Sequence, residues 1–457
     1  MLRAAAVTPA ESLPPGPGAP PAFLMTRFLL RPTQFLDDCY RRYGDFFTVQ
    51  TPERTVCFLA DPEAIKEIFT GDPELLHAGE GNAILAPMLG PRSVLVLDGP
   101  EHMRQRRLML PSFHGERMAS YGELMAEVAE REVAEWPSGR PFAVLPSMQA
   151  ITLEVIMRAV FGLEAGARRD ELRSRLRGML DRMRSRPRLV LLALTSSRRG
   201  ARSPWGRFRA ELAKVDVPLF DEIRARRADP DIERREDVLS LLVQARDEDG
   251  EPMSERELRD ELMTLLVAGH ETTATALAWT MERLARQPSV AERLGAELRE
   301  GDGDGEYLDA VVKEALRLRP VVPGVIRRLT APMELKGYSL PAGVHVAPSI
   351  YLTHRRPDIY PDPLEFRPER FIEQPAGTYT WIPFGGGIRR CLGGSFAIFE
   401  MKAVLRAVMA RHRIVPSDDR GEAVVRRAVT FVPARGGRVR LEPAPTAVTR
   451  EAAASAA

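Results

Sequence analysis

The ten residues 384–393, Phe-Gly-Gly-Gly-Ile-Arg-Arg-Cys-Leu-Gly, constrain this chain more than any other stretch. They set Cys391 between glycine-rich shoulders at the head of a helix. From Leu392 to Arg413, Ala, Leu and Met recur at helical spacing, with no Pro, and no Gly beyond Gly394. A thiol at a helix N-terminus feels the positive end of the helix dipole and the free amides of the first turn. Arg389 and Arg390 add positive charge. All three predict a thiolate, with a pKa below the ordinary cysteine value of about 8.5. Such an anion is a nucleophile or a soft metal ligand, whereas a lone cysteine is more often a small buried hydrophobe. At this composition the spacing of Phe384, Gly387, Arg389, Cys391 and Gly393 arises by chance on the order of 10⁻⁴ times.

The rest of the chain narrows the setting. Its 457 residues are 44% hydrophobic and show no break in composition. One large domain over 22–443 is expected, after a flexible proline-rich lead at 1–21 and before a frayed tail at 444–457. A net charge of +2 gives nucleic-acid binding no support. The three cysteines, Cys39, Cys57 and Cys391, form no CxxC. A disulfide framework and a zinc site are poor readings, and a reducing cytoplasm fits better. The start lacks the apolar core of a signal peptide, and no apolar run is long enough to span a bilayer. The arginine-rich stretch 183–207 reads as a solvated connection, with a lid or partner surface as the alternative.

Periodicity predicts helices at 32–43, 100–110, 116–136, 147–161, 169–184, 208–227, 237–246, 254–286, 290–299 and 306–318. A hairpin is expected at 46–50 and 55–59, and another over 424–441, turning at 433–437. The fold class is therefore mainly α with small β-sheets (α+β). Cys57 reads as core on its strand, and Cys39 carries no assigned role.

The longest pattern starts with a capping box at Ser254 and Glu257. Within it, Ala268, Gly269, Thr272 and Ala276 share one small-sided face. The Thr272 hydroxyl can bond back to the Ala268 carbonyl. The bland reading is a buried helix with small packing residues. His270-Glu271 opens like a zinc HExxH motif, but Ala274 stands where the second His belongs. Glu314 and Arg317 lie one turn apart on a later helix and can pair.

Together these stretches resemble the cytochrome P450 family, over about 14–442, with the motifs in the family's order. The resemblance implies the fold of that family, with heme b held between the long helix and the cysteine loop. Cys391 would be the axial iron ligand. Phe384, Gly385 and Gly393 would shape its loop, and Ala268 would face the heme. His102, Arg106, Arg327 and Arg389 would hold the propionates, with Arg328 the alternative to Arg327. Glu271 and Thr272 would be the catalytic acid–alcohol pair that relays protons for O–O cleavage. Glu314, Arg317 and Arg370 would form a structural lock. Ile84, Leu85, Met88, Val94, Leu265, Val322, Val325, Thr430 and Phe431 would line the substrate pocket.

The implied activity is a cytoplasmic, monomeric monooxygenase of secondary metabolism. It would use O2 to hydroxylate or epoxidise a lipophilic small molecule of the terpenoid, steroid, fatty-acid or polyketide class. Electrons would come from a ferredoxin- or flavodoxin-like donor with its reductase. A basic patch of Arg104, Arg106, Arg107, Arg389, Arg390 and Lys402 would steer an acidic partner. The alternatives are a peroxide-using or rearranging enzyme of the same fold, a non-catalytic heme-binding relative, and a thiol enzyme using Cys391 as nucleophile.

Overall fold

The protein is seen in a computed structural model that describes residues 13–113, 117–163, 166–183, 204–300 and 305–444. The arginine-rich stretch expected as a connection lies mostly outside these residues. Six helices frame the site: α1 (Gly99–Met109), α2 (Arg117–Ala134), α3 (Leu145–Ala159), α4 (Glu255–Ala285), α5 (Glu306–Leu318) and α6 (Gly394–Arg411). With 31 residues, α4 runs about 45 Å and forms the axis of the molecule. Its start is fixed as expected. Ser254 N–H donates to Glu257 Oε2 at 2.7 Å, and Glu257 N–H donates to Ser254 Oγ at 3.2 Å.

Helix α3 lies against α4 at Gly269, where an added Cβ would stand 3.3 Å from Ile156 Cδ1. Gly269 thus serves helix packing, and Ala276 is buried in the core. Only Ala268 and Thr272 of the small-sided face are left to a ligand. Helix α6 packs on α2 through Tyr121 and Phe396, whose rings meet edge-on with centroids 5.5 Å apart.

The main sheet has five strands, and a separate small hairpin pairs β6 (Met333–Leu335) with β7 (Tyr338–Leu340). The hairpin of β1 (Phe46–Gln50) and β2 (Thr55–Leu59) forms at the expected residues. Next come β8 (His345–Pro348), parallel to β2, then β5 (Arg327–Leu329) and β3 (Leu76–His77), each antiparallel to its neighbour. Cys57 sits opposite Val346 in the core, and burial pushes its thiol up to about 11. Of the lead, residues 13–20 lie along this sheet, where Thr48 N–H donates to Pro15 O at 3.0 Å. A helix begins at Pro21.

The tail departs from expectation. Its hairpin joins β10 (Val424–Arg427) to β11 (Thr430–Pro433), turning at Ala428–Val429. After Gly437 the chain leaves for a separate sheet, where β12 (Arg438–Pro443) lies between β4 (Pro141–Ala143) and β9 (His412–Pro416). Alternation predicts strands but not partners, and both partners of β12 come from other parts of the chain.

Candidate active site

The cysteine loop is folded by its glycines. Gly387 has φ +64°, and a Cβ there would stand 1.9 Å from Phe69 O. Gly386 is extended, but its Cβ would meet the Phe69 ring at 2.2 Å. The loop closes where Cys391 N–H donates to Phe384 O at 2.9 Å. Gly393 is different. Its φ is an ordinary −88°, and nothing lies within 4 Å of where a Cβ would stand. Neither conformation nor packing asks for glycine there, so what it keeps is room beside the thiol.

Cys391 has accessible surface, although it is enclosed by protein on most sides. Burial pushes its thiol pKa up, against the lowering pull of the Gly393 amide, Arg106 and Arg390. This corrects the expected thiolate. The Gly393 amide and Arg390 act in the predicted direction, with Arg106 in the place expected of Arg389, but desolvation outweighs them. The anion becomes favourable when a cation binds the sulfur.

The loop is held from below by a buried ionic lock. Glu314 accepts Arg317 Nε at 2.6 Å and Nη2 at 2.8 Å, Arg370 Nε at 3.2 Å and Arg367 N–H at 2.8 Å. Arg317, fully buried, also donates to the carbonyls of His354, Pro363 and Glu365. His354, which no sequence pattern marks, carries the lock to the loop. Its Nδ1 donates to Arg317 O at 3.3 Å, and its Nε2 accepts Ile382 N–H at 2.9 Å. Those partners assign the Nδ1–H tautomer. Burial, then Arg317 and Arg355, hold the ring neutral, well below the usual histidine range.

On one side of the loop Arg106, Arg327 and Arg389 gather around His102. Burial and the nearby Arg389 and Arg106 push His102 down to about 3. Burial, then Arg389, brings Arg327 down to about 10. Arg389 itself falls to about 10 through burial, with Asp98 opposing and Arg106 adding. Among the described residues Asp98 is the one acid paired with these groups, 2.6 Å from Arg389 Nη2. Arg328 points away to Glu80 at 2.5 Å, so Arg327 is the inward member of the pair. His102 Nδ1 is buried without a partner. Three desolvated arginines around a histidine with an unpaired ring nitrogen lack anions, and two carboxylates are their complement. The heme propionates fit that need.

A second group, His77, Glu80 and Asp98, has metal-ligating chemistry. Its atoms are already engaged. Asp98 accepts Gly79 N–H, Glu80 N–H and Arg389, and Glu80 pairs with His77 and Arg328.

In the middle of α4, whose other faces are packed, Ala268 is exposed and Leu265 and Thr272 are half-buried. Ala268 and Cys391 both keep accessible surface. Thr272 Oγ1 donates to Ala268 O, as the spacing predicts. Glu271 accepts Gln149 Nε2 at 2.8 Å and Arg427 Nη1 at 2.9 Å. Neither partner was legible in the sequence.

The pocket residues divide. Leu85, Leu265, Val322 and Val325 are half-buried, and Val325 reaches to 3.7 Å from where a Gly385 Cβ would stand. Met88, Val94 and Thr430 are buried. Val94 N–H donates to Glu261 Oε1 at 2.8 Å, and Arg92 N–H to Asp260 Oδ2 at 2.9 Å, which ties this loop to α4. Two residues stand apart. Ile84 is 65% exposed. Phe431 is 2% exposed, because its ring belongs to a separate core cluster with Leu24, Phe35 and Tyr351.

The basic patch is also smaller than expected. Arg104 pairs with Asp247 at 2.5 Å and Glu257 at 2.8 Å, Arg107 with Glu248, and Lys402 with Asp309 at 2.5 Å. Arg390 remains exposed. No helix among the described residues is long and apolar enough to cross a membrane.

Comparison with known proteins agrees with this geometry. The family model for Cytochrome P450 matches residues 14–434. A putative cytochrome P450 135B1 of Mycobacterium tuberculosis is 45% identical over 442 residues, covering 95% of this chain and 92% of that protein. The same organism's putative cytochrome P450 135A1 is 40% identical, covering 96% and 97%. Among solved structures, a retinoic acid-bound cyanobacterial CYP120A1 superposes with a TM-score of 0.80 at 26% identity, covering 94% of this chain and 99% of that one. The heme domain of cytochrome P450DA has the same fold, with a TM-score of 0.81 at 23% identity, covering 95% and 97%. The chain belongs to the cytochrome P450 family, whose members bind heme b.

Proposed function

We propose that this protein is an O2-dependent heme-thiolate monooxygenase that hydroxylates or epoxidises a lipophilic small molecule, with electrons delivered by a separate ferredoxin- or flavodoxin-like protein. Heme b, bound through Cys391, supplies the oxygen activation and atom transfer. His102, Arg106, Arg327 and Arg389 hold its propionates, and the lock through His354 keeps the thiol loop in register. Leu85, Met88, Val94, Leu265, Val322, Val325 and Thr430 wall the substrate, and most of these are apolar. The relative whose description names retinoic acid, an elongated apolar acid, supports a lipophilic substrate. Cys39 and Cys57 are free and buried, which suits a reducing compartment.

The observation that carries the O2-dependent reading is the pair at mid-helix. Thr272 is half-buried with its hydroxyl on Ala268 O, and Glu271 beside it is anchored at both oxygens. Proton delivery to a reacting oxygen needs a hydroxyl to orient it and an acid to supply it. A placed acid typically contributes 10²–10⁴-fold. A peroxide-driven enzyme receives both protons with its H2O2 and needs none brought in from solvent.

The test begins with the purified protein, reduced under carbon monoxide. A red-shifted Soret band of thiolate-ligated heme is expected, and a histidine-type band or no heme would refute the reading. With a surrogate donor and a panel of lipophiles, the product should carry one ¹⁸O atom from ¹⁸O2. Turnover on hydrogen peroxide alone at an equal rate would favour the peroxide-using alternative.

A further inference from the structure

A cleft of about 730 Å³ opens at the start of α4. Three elements wall it: the loop 87–92, the helix Pro204–Arg227 and the first turns of α4. Each contributes an exposed arginine, respectively Arg92, Arg209 and Arg256. Arg209 and Arg256 pair with no acid among the described residues. Arg92 Nη1 stands 3.8 Å from Glu101 Oε1, with both side chains more than half exposed. None of the residues assigned above to the heme or to the substrate lines this cleft.

The acids of the cleft are already engaged. Arg259 Nη2 lies 2.7 Å from Asp216 Oδ1, and Arg259 Nη1 donates to Asp260 Oδ1 at 2.9 Å. Glu257 is taken by Arg104 at 2.8 Å, by Gln105 Nε2 at 2.7 Å and by the capping box. With Glu257 set against Arg104, the four lining arginines face two acids, Asp216 and Asp260. A surplus of two positive charges remains. Beside it, Pro87, Pro91, Leu212 and Phe220 supply apolar wall.

A seam closes the loop onto α4 next to the cleft. Arg259 Nη1 donates to Leu89 O at 2.9 Å, and the N–H groups of Arg92 and Val94 donate to Asp260 and Glu261. A Cβ on Gly90, whose φ is +103°, would stand 2.0 Å from Asp260. Ala268 lies about 12 Å further along the helix. The arginine rim and the small-sided face of α4 are thus different places.

We propose that this cleft is a second ligand site, distinct from the heme site, and that it binds an amphipathic carboxylate. The head group pairs with Arg92, Arg209 and Arg256, and a single apolar chain lies against Pro87, Pro91, Leu212 and Phe220. A guanidinium meets a carboxylate through two parallel hydrogen bonds. The volume exceeds what a bare anion fills and falls within the range of about 300–1,000 Å³ usual for ligand pockets. A neutral lipophile would leave the surplus charge unanswered.

The probe is decanoate, kept below its micelle-forming concentration, with decanol as its neutral counterpart. Binding is measured by calorimetry on heme-loaded protein saturated with phenylimidazole, which occupies the heme site. Decanoate should bind one to one, about tenfold more tightly than decanol, and more weakly as salt rises. Arg92→Gln, Arg209→Gln and Arg256→Gln together should lower its affinity about tenfold. The same change at Arg31, Arg140 and Arg411, which lie outside the cleft, should leave it as in wild type. Each single variant of the rim is measured too, with about a twofold loss expected, so that a triple variant that fails to fold still leaves three to read. Wild-type affinity in the folded triple, or in all three single variants where the triple does not fold, would overturn the inference. Equal binding of decanol would do so as well, as would loss of decanoate binding once phenylimidazole fills the heme site.

Discussion

Glu314→Gln tests the lock most directly. The carboxylate accepts four hydrogen bonds, three of them from the guanidinium groups of Arg317 and Arg370. Both arginines are buried, Arg317 completely. Glutamine keeps the volume but removes the charge, and it turns an NH2 toward a guanidinium donor. Two cations are then left in the interior with carbonyls as their main compensation. Breaking a buried pair from one side costs about 3–5 kcal/mol. That is a large share of the 5–15 kcal/mol that separates typical folded and unfolded states. The damage has an address, because Arg317 O orients His354 and His354 accepts Ile382 N–H just before the cysteine loop. The expected result is a denaturation midpoint well below wild type. In addition, the thiolate-type carbon monoxide band should convert to a histidine-type band at denaturant levels where far-UV circular dichroism is still native. A variant within 1 kcal/mol of wild type and with a durable thiolate band would refute the reasoning. Replacing Glu314, Arg317 and Arg370 together by apolar residues of similar size should recover much of the stability but not the durable band, since His354 loses its orienting carbonyl geometry.

Three further outcomes follow from single groups. Glu400 on α6 is wholly buried, and burial pushes its carboxyl up to about 8. The folded state therefore holds this proton more tightly than the unfolded chain. Its contribution is complete below about pH 4.5 and is lost as pH rises to about 8, at up to 1.36 kcal/mol per unit. Glu400→Gln should flatten the fall of the melting temperature between pH 5 and 8, and an unchanged slope would count against the assignment. Gly387→Ala should abolish heme retention, measured as the Soret to protein absorbance ratio, because its Cβ would collide with Phe69 O and its φ is +64°; retention at the wild-type level would show that the loop has another way to close. Arg390→Glu should slow the first electron transfer from an acidic donor and weaken its salt dependence. Arg107→Glu should do less, since Glu248 already neutralises Arg107, and equal effects would restore the larger patch.

What could be read from the sequence was what is decided locally. The capping box at Ser254, the hairpin at 46–59 and the helix ending at Leu318 form within a few residues of their signals. The glycines around Cys391 were legible as a loop, and Thr272 as a hydroxyl bonded one turn back, because both depend on spacing alone. His354, Arg427 and Gln149 were not. Each acquires its role from a partner on another element, and a histidine in Thr353-His354-Arg355 looks like any other in the sequence.

The two errors of charge share one physical cause. Cys391 was expected as a thiolate from a dipole and two arginines, yet burial overrides them. The basic patch was counted from Arg104, Arg107 and Lys402, yet Asp247, Glu248 and Asp309, far off in the chain, cancel them. Charge in a sequence is a list of sources, whereas charge in a fold is what remains after desolvation and pairing. The propionate cluster survives that subtraction where the patch does not. Among the described residues its three arginines and histidine have one paired acid, Asp98 on Arg389, and in so enclosed a place the deficit of negative charge cannot be met by solvent. A surplus that persists after burial and pairing is worth more as evidence of a ligand than any count of charged residues.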